Sequence, residues 1–176
     1  MSEIISAGRP SLLILGAGGF GRVVREAAED MDMFGTIAFL DDQAKTELVV
    51  GTLQDHAALS KHYDCAVVAM GNNPLRLEWL DKLEKAGYAL PVIVHPTAWI
   101  SRSADIQPGT IVLHNAVVNT NAVVERGCII NCGAVVDHDC TVQQGCHICL
   151  NSVVKNQGTV PACTKLEAGE VFAPAR

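Results

Sequence analysis

The tripeptide Asp137-His138-Asp139 carries the clearest acid–base chemistry in the chain. A histidine titrates at about pH 6.5, so its neutral imidazole can accept a proton near neutrality. An adjacent carboxylate favours the imidazolium that forms, which suits a general base. In isolation the same three residues could be a solvated polar corner. Their meaning depends on what positions them.

A second set of residues suits phosphate and ribose. Gly16-Ala17-Gly18-Gly19-Phe20-Gly21 is a GxGxxG run, the pattern that aims backbone N–H groups of a helix N-terminus at an anion. Asp41-Asp42 begins 20 residues beyond Gly21, where a ribose-binding acid is expected. Gly71-Asn72-Asn73 makes a third turn. Glycine serves any tight strand–helix turn, so the run alone is weak evidence. The coincidence of three such turns points to a nucleotide site.

These turns need strands and helices to hold them. Ser11-Leu-Leu-Ile-Leu15 reads as a buried strand, followed by a helical pattern through Val23, Val24, Ala27 and Ala28 to about Met31. Thr36-Ile-Ala-Phe-Leu40 is a second strand and residues 65–70 a third. Pro74 opens a helix running to about residue 87. All three turns then fall at the carboxyl ends of parallel strands, the ligand edge of open α/β sheets. Residues 1–92 hold only one mononucleotide-binding half, which favours a mononucleotide or nucleotide-sugar over a dinucleotide. His56 and His62 are expected on a surface helix. His95, before Pro96, is expected in a packing or hinge role at the junction.

From Val94 a different rule takes over. Stepping by six to Leu166 gives 13 positions, each Ile, Leu or Val, although those residues number only 46 of 176. Four residues after each of the first 12 comes Ala, Thr, Cys, Ser or Gly without exception. A chain that turns a corner every six residues makes a triangular prism. The aliphatic residue stacks inside it and the small one fits near a corner. Successive coils pair as parallel strands about 4.8 Å apart, each touching only its neighbours. Residues 93–176 are therefore expected to form a parallel β-helix of a little over four coils. Pro161, Phe172 and Pro174 are expected to cap its open end. His138, two residues after an inward Val136, can face outward.

Composition agrees. Hydrophobic residues make up 49% and aromatic residues 5%, so the core must be aliphatic. A net charge of −6 without a basic block argues against nucleic acid or anionic membranes as partners. No apolar run approaches a membrane span, and the N-terminus lacks a signal-peptide pattern, so a soluble cytoplasmic protein is expected. Seven cysteines, an odd number, point to reduced thiols. Cys128, Cys140 and Cys146 fall in the small-residue column, which makes them packing residues first. The single CxxC, Cys146 to Cys149, lacks the second pair a zinc site would show.

The GAGGFG turn, Phe39-Leu40-Asp41-Asp42, Gly71-Asn-Asn-Pro-Leu-Arg76 and a hexapeptide repeat containing Val135-Val-Asp-His-Asp-Cys140 together resemble the sugar acyltransferases of the PglD/NeuD type. The resemblance covers residues 11 to about 150. It implies a truncated Rossmann-like α/β domain followed by a left-handed β-helix, a homotrimer, and active sites between adjacent β-helices. It further implies acetyl-CoA along the prism as acyl donor, no metal, and a nucleotide-sugar acceptor in surface-glycan synthesis. His138 matches the family's general base, Asp139 its supporting carboxylate, Asn131 an active-site asparagine and His147 a coenzyme-contacting histidine. Gly18, Gly19, Phe20, Asp41, Asp42 and Gly71 match the nucleotide-sugar positions. Phe20 departs from the histidine that relatives often carry there.

Relatives usually continue for further coils after the position of His147. The shorter prism here is expected to bind acetyl-CoA weakly, use another acyl donor, or serve a non-catalytic nucleotide-sugar-binding or assembly protein. A metal-dependent lyase of the carbonic anhydrase kind would need three histidines meeting at a trimer interface, for which His114, His138 and His147 are available. Their places in the repeat differ, and the α/β unit would have no purpose.

Overall fold

The computed structural model describes residues 8–173. The α/β unit runs β1 (Ser11–Leu15), α1 (Gly19–Asp30), β2 (Thr36–Leu40), β3 (Val49–Gly51), α2 (His56–Leu59), β4 (Cys65–Val68) and α3 (Asn73–Lys85). All pairings in its sheet are parallel, in the order β3-β2-β1-β4. Leu12 to Leu15 are all fully buried, as a central parallel strand covered on both faces requires. Val24, Ala27 and Ala28 of α1 cover one face. Trp79, Leu80 and Leu83 of α3 cover the other. β3 is too short to show a period in sequence. It is fixed by Phe39 N–H donating to Leu48 O at 2.8 Å and Asp41 N–H donating to Gly51 O at 3.1 Å. His56 lies on α2 with its ring edge-on to Trp79, 5.3 Å between centroids, while His62 lies beyond the helix end.

The prism follows as two-residue strands. The first coils hold β5 (Ile93–Val94), β6 (Trp99–Ile100), β7 (Asp105–Ile106), β8 (Ile111–Val112), β9 (Val117–Val118) and β10 (Val123–Val124). Next come β11 (Ile129–Ile130), β12 (Val135–Val136), β13 (Thr141–Val142) and β14 (His147–Ile148). The last are β15 (Val153–Val154), β16 (Thr159–Val160), β17 (Lys165–Leu166) and β18 (Val171–Phe172). They stack into three parallel sheets, the faces of a left-handed prism. The first face is β5-β8-β11-β14-β17, the second β6-β9-β12-β15-β18 and the third β7-β10-β13-β16. The aliphatic column and the small-residue column form one continuous core. Phe172 takes the inward position of the last rung, in register with Val154, so the column ends on an aromatic ring. Pro161 sits exposed on a corner, and Pro174 lies outside the described residues.

A third column appears that hydrophobicity could not reveal. From Gly109 to Gly169 every sixth residue has φ between 54° and 73°, the left-handed region. Nine of these 11 are Gly, Asn or Asp, the types that tolerate it. Asp139 is one of them.

The two units share a core. Ile93, Ile111 and Leu113 point out of the first face and are buried with Leu12, Ile14 and Ala27 of the α/β unit. At the third corner, a Cβ on Gly109, Gly127 or Gly145 would come within 2.5 to 2.7 Å of Leu80 or Leu77. Glycine there lets α3 lie directly on the prism. No helix among the described residues is long and apolar enough to cross a membrane.

Candidate active site

His138 leaves the prism at the corner after β12, between the second and third faces. Its Nδ1–H donates to Asp139 Oδ2 at 2.7 Å, and its backbone N–H donates to Asp137 Oδ1 at 2.8 Å. Asp139 is itself fixed twice, by its left-handed backbone and by Asn121 Nδ2 donating to its Oδ1 at 3.1 Å. With Nδ1 occupied, Nε2 is left as the acceptor. The Asp139 hydrogen bond raises the His138 pKa above its ordinary value, and the imidazole in turn holds Asp139 below the usual carboxylate range. Both side chains are exposed. The neutral, proton-accepting imidazole is populated only above the raised pKa. Asp139→Asn is therefore expected to move the His138 titration to lower pH, as read from its imidazole resonances. A titration unmoved by the substitution would mean the contact does not hold in solution.

Asn131, at the corner between the first and second faces, and His147, outward on β14 of the first face, form a second group. Asn131 Nδ2 donates to His147 Nε2 at 3.1 Å, while Asn131 Oδ1 accepts the Cys132 N–H at 2.8 Å, which sets the amide's orientation. The His147 proton then belongs on Nδ1, which is buried and has no hydrogen-bond partner among the described residues. Burial, with Arg76 and Lys165 nearby, pushes the His147 pKa down to about 4, so the ring is neutral at pH 7. Phe20, at the start of α1, brings its ring within 6.3 Å of His147. One prism face separates this group from His138: Asn131 follows β11 and His138 follows β12.

The glycine turn divides into two kinds of glycine. Gly16 has φ +103°, and a Cβ on Gly21 would stand 1.9 Å from the Gly16 carbonyl oxygen. Both serve the packing of α1 on β1. Gly18 and Gly19 have nothing within 4 Å of a Cβ, and no side chain caps the helix N-terminus that they open. Gly71 is equally open. Asp41 Oδ2 accepts the Ala17 N–H at 2.7 Å, and Oδ1 accepts those of Gln43 and Ala44, each at 2.8 Å. These bonds, Ala44 first, hold its pKa below the usual carboxylate range. Asp41 thus ties the glycine turn to the loop after β2, and both its oxygens are engaged before any ribose arrives. Asp42 Oδ1 accepts the Leu53 N–H at 2.9 Å. Beside them, Lys45, Thr46 and Gly51 help line an open groove of about 600 Å³.

The Gly71–Arg76 segment holds what the sequence reading missed. Asn72 caps α3, accepting the Leu75 N–H at 3.0 Å. Asn73 and Arg76 are buried and reach across to backbone carbonyls at a corner of the prism. Only Gly71 stays at the open sheet edge.

His114, His138 and His147 do not converge within the chain. The His114 ring stacks on His95 at 3.6 Å, and His95 Nε2–H donates to Asp30 at 3.0 Å. Asp30, His95 and His114 bring three potential ligand atoms within 4.8 Å of one another. His95 Nδ1, however, already accepts the Thr97 N–H at 3.1 Å. The ring's own proton must then sit on Nε2, the atom a metal would need. His95 therefore pins α1 to the first corner of the prism. All seven cysteines are free thiols, and Cys146 lies inside the prism with its S–H on Pro161 O at 3.0 Å.

An α/β unit with an open glycine turn, seated on one face of a left-handed hexapeptide prism that carries an outward histidine–carboxylate pair, defines the two-part β-helix acyltransferases. The PglD N-terminal domain family model matches residues 11–83. The acetyltransferase domain of PglB from Neisseria gonorrhoeae FA1090 is 33% identical, with 93% of this chain and 91% of that one covered and a TM-score of 0.85. The same domain in complex with acetyl coenzyme A gives 32% identity, 94% and 93% coverage, and a TM-score of 0.83. A curated relative, UDP-N-acetylbacillosamine N-acetyltransferase of Bacillus subtilis (strain 168), is 30% identical over 110 residues, 58% of this chain. That alignment spans 51%, about half, of the curated relative. The chain belongs to the PglD/NeuD-type family of sugar acyltransferases.

Proposed function

We propose that the chain moves an acetyl group from acetyl-CoA to an amino or hydroxyl group of a nucleotide-linked sugar, for surface-glycan synthesis in the cytoplasm. The observation that carries this is the His138–Asp139 pair, joined at 2.7 Å with Nε2 free on the outside of the prism. His138 takes the proton from the acceptor's amine or hydroxyl as it attacks the thioester carbonyl. Asp139 stabilises the resulting imidazolium, and coenzyme A leaves. His147, its ring oriented by Asn131, lies beside the acyl donor. Gly18, Gly19, Phe20 and Gly71, with Asp41 and Asp42 holding the loops, cradle the nucleotide-sugar. The division of labour falls at about residue 92.

The working unit is a homotrimer. The outward residues of the second face are Trp99, Val117, Val135, Val153 and Val171, an apolar stripe along the whole prism. Trp99 is 53% and Val171 57% exposed, which suits a surface awaiting a partner. Asn131 lies at one edge of this face, with His147 behind it on the first face, and His138 lies at the other edge. Packing copies head-to-side around it sets the His138 edge of one against the Asn131 edge of the next. Sedimentation is expected to give a trimer and Val135→Asp a monomer. A wild-type monomer would remove this arrangement.

The acyl donor is supported by the PglB domain, which aligns with this chain over nearly its whole length and was solved with acetyl coenzyme A. A prism of this extent can therefore hold the coenzyme, and the expectation of weak binding from a short coil count loses its basis. The acceptor is supported by the two open glycines. PerB of Caulobacter crescentus, solved with CoA and GDP-perosamine, shares the fold at 21% identity and a TM-score of 0.76. Calorimetry with UDP- and GDP-linked amino-sugars tests the acceptor site. Gly18→Ala and Gly19→Ala are expected to weaken nucleotide-sugar binding with the melting temperature unchanged, because their Cβ atoms meet only ligand. Undiminished binding in both would move the site elsewhere.

A further inference from the structure

Arg76 is fully buried, and among the described residues no carboxylate pairs with it. Its Nε donates to Gly127 O at 2.7 Å and Nη1 to Met70 O at 2.7 Å. Nη2 donates to Asn73 Oδ1 and Gly145 O, both at 2.8 Å, and to Cys146 O at 3.2 Å. Asn73 Nδ2 continues the series, donating to Cys163 O at 3.0 Å and Thr164 O at 3.2 Å. Gly127, Gly145 and Cys163 are the left-handed corner residues of three successive coils. One residue pair thus grips three stacked corners of the prism and the carboxyl end of β4, next to Gly71. Two residues beyond Gly145 stands His147.

A buried charge is an expensive way to make a contact. Where packing is the only requirement, apolar side chains of similar volume often do as well or better. What the guanidinium adds is a fixed fork of donors, each aimed at a carbonyl in a set direction. Burial pulls its pKa down to about 10, so it stays charged at pH 7.

We propose that the Arg76–Asn73 pair is a positioning clamp that fixes the nucleotide-binding edge of the α/β unit against the coil carrying His147, and so aligns acceptor with acyl donor. The proposal rests on the two-substrate reading above, in which one substrate is held by each unit. Losing the clamp leaves each binding surface intact but frees their relative placement. Small misplacements cost rate rather than binding. Arg76 is also one of the charges facing His147; Lys165 and Glu167 of the next coil are the others, and Asn131 and Phe20 approach it as neutral groups.

Arg76→Met, Arg76→Lys and Asn73→Ala test this. For each variant that folds, kcat is expected to fall roughly tenfold to a hundredfold, with either substrate's KM within about threefold of wild type. Arg76→Lys should recover part of the loss. Amide exchange at residues 145–148 should quicken in every folded variant, and the His147 titration should move to higher pH in Arg76→Met. Unchanged kcat with only a lowered melting temperature would reduce the pair to ordinary packing and overturn the proposal, as would a raised KM with kcat intact. If the wild-type protein transfers no acetyl group, the two-substrate reading fails on its own, and the exchange measurement still decides. Unchanged exchange in both Arg76→Lys and Asn73→Ala would then sink the clamp, since these variants keep the charge or the guanidinium itself.

Discussion

His138→Ala is expected to lower kcat for coenzyme A release by about 10² to 10⁴-fold, the usual contribution of a positioned general base. The fold should not notice. The imidazole is exposed, and among the described residues its ring hydrogen-bonds only to Asp139. The KM for nucleotide-sugar should stay near wild type if, as proposed, the nucleotide is held by the α/β unit. The prediction separates His138 from His147, whose ring is half-buried, hydrogen-bonded to Asn131 and neutral at working pH. A His147→Ala variant should instead weaken acetyl-CoA binding. A His138→Ala enzyme with full kcat would leave Asp137-His138-Asp139 as a polar corner and nothing more.

Gly21→Ala should be the most disruptive single methyl in the α/β unit. The added Cβ would lie 1.9 Å from the Gly16 carbonyl oxygen, a backbone atom that cannot rotate away. Relief requires α1 to lift from β1, which opens the packing of Val24, Ala27 and Ala28 on the sheet. Overpacking of this kind costs about 1–3 kcal/mol and occasionally more, and the absence of a flexible neighbour puts Gly21 at the upper end. The expected result is a large drop in the denaturation midpoint, or insoluble protein, while Gly18→Ala remains as stable as wild type. Equal stability of the two variants would contradict the close helix–strand packing.

The prism was legible because its physics is periodic. An inward aliphatic every six residues and a small residue four later each answer to one packing constraint, and both columns run unbroken in the sequence. The left-handed column, occupied by Asn115, Asn121, Gly127, Gly133 and Asp139 among others, answers to backbone geometry instead. It was equally present in the sequence, as a recurrence of Gly, Asn and Asp three residues after each inward position. It also explains Asp139 twice over, as the turn residue the corner needs and the carboxylate that His138 needs. What resisted reading was contact across distance. Gly71-Asn72-Asn73 looked like a ligand turn, yet Asn72 caps α3 and Asn73 grips the prism. Arg76 gives no sign in sequence that it is buried, since three of its five partners are carbonyl oxygens 51 to 70 residues away. The spacing of Asp41 suits a ribose ligand, whereas the bonds it makes within the chain are to the backbone of the glycine turn and of the loop after β2. Phe20 stood out as an odd residue in a glycine turn. Its neighbour His147 belongs to the other unit, and no local pattern could have paired them.

The most direct test of the central claim is the release of coenzyme A by the purified protein with acetyl-CoA, with and without a panel of UDP- and GDP-linked amino-sugars. Release that requires one of the nucleotide-sugars, rises with pH through the His138 titration and disappears in His138→Ala is the expected result. Release indifferent to the sugar, or none across the panel from protein that demonstrably binds both substrates, would contradict acetyl transfer between the two units.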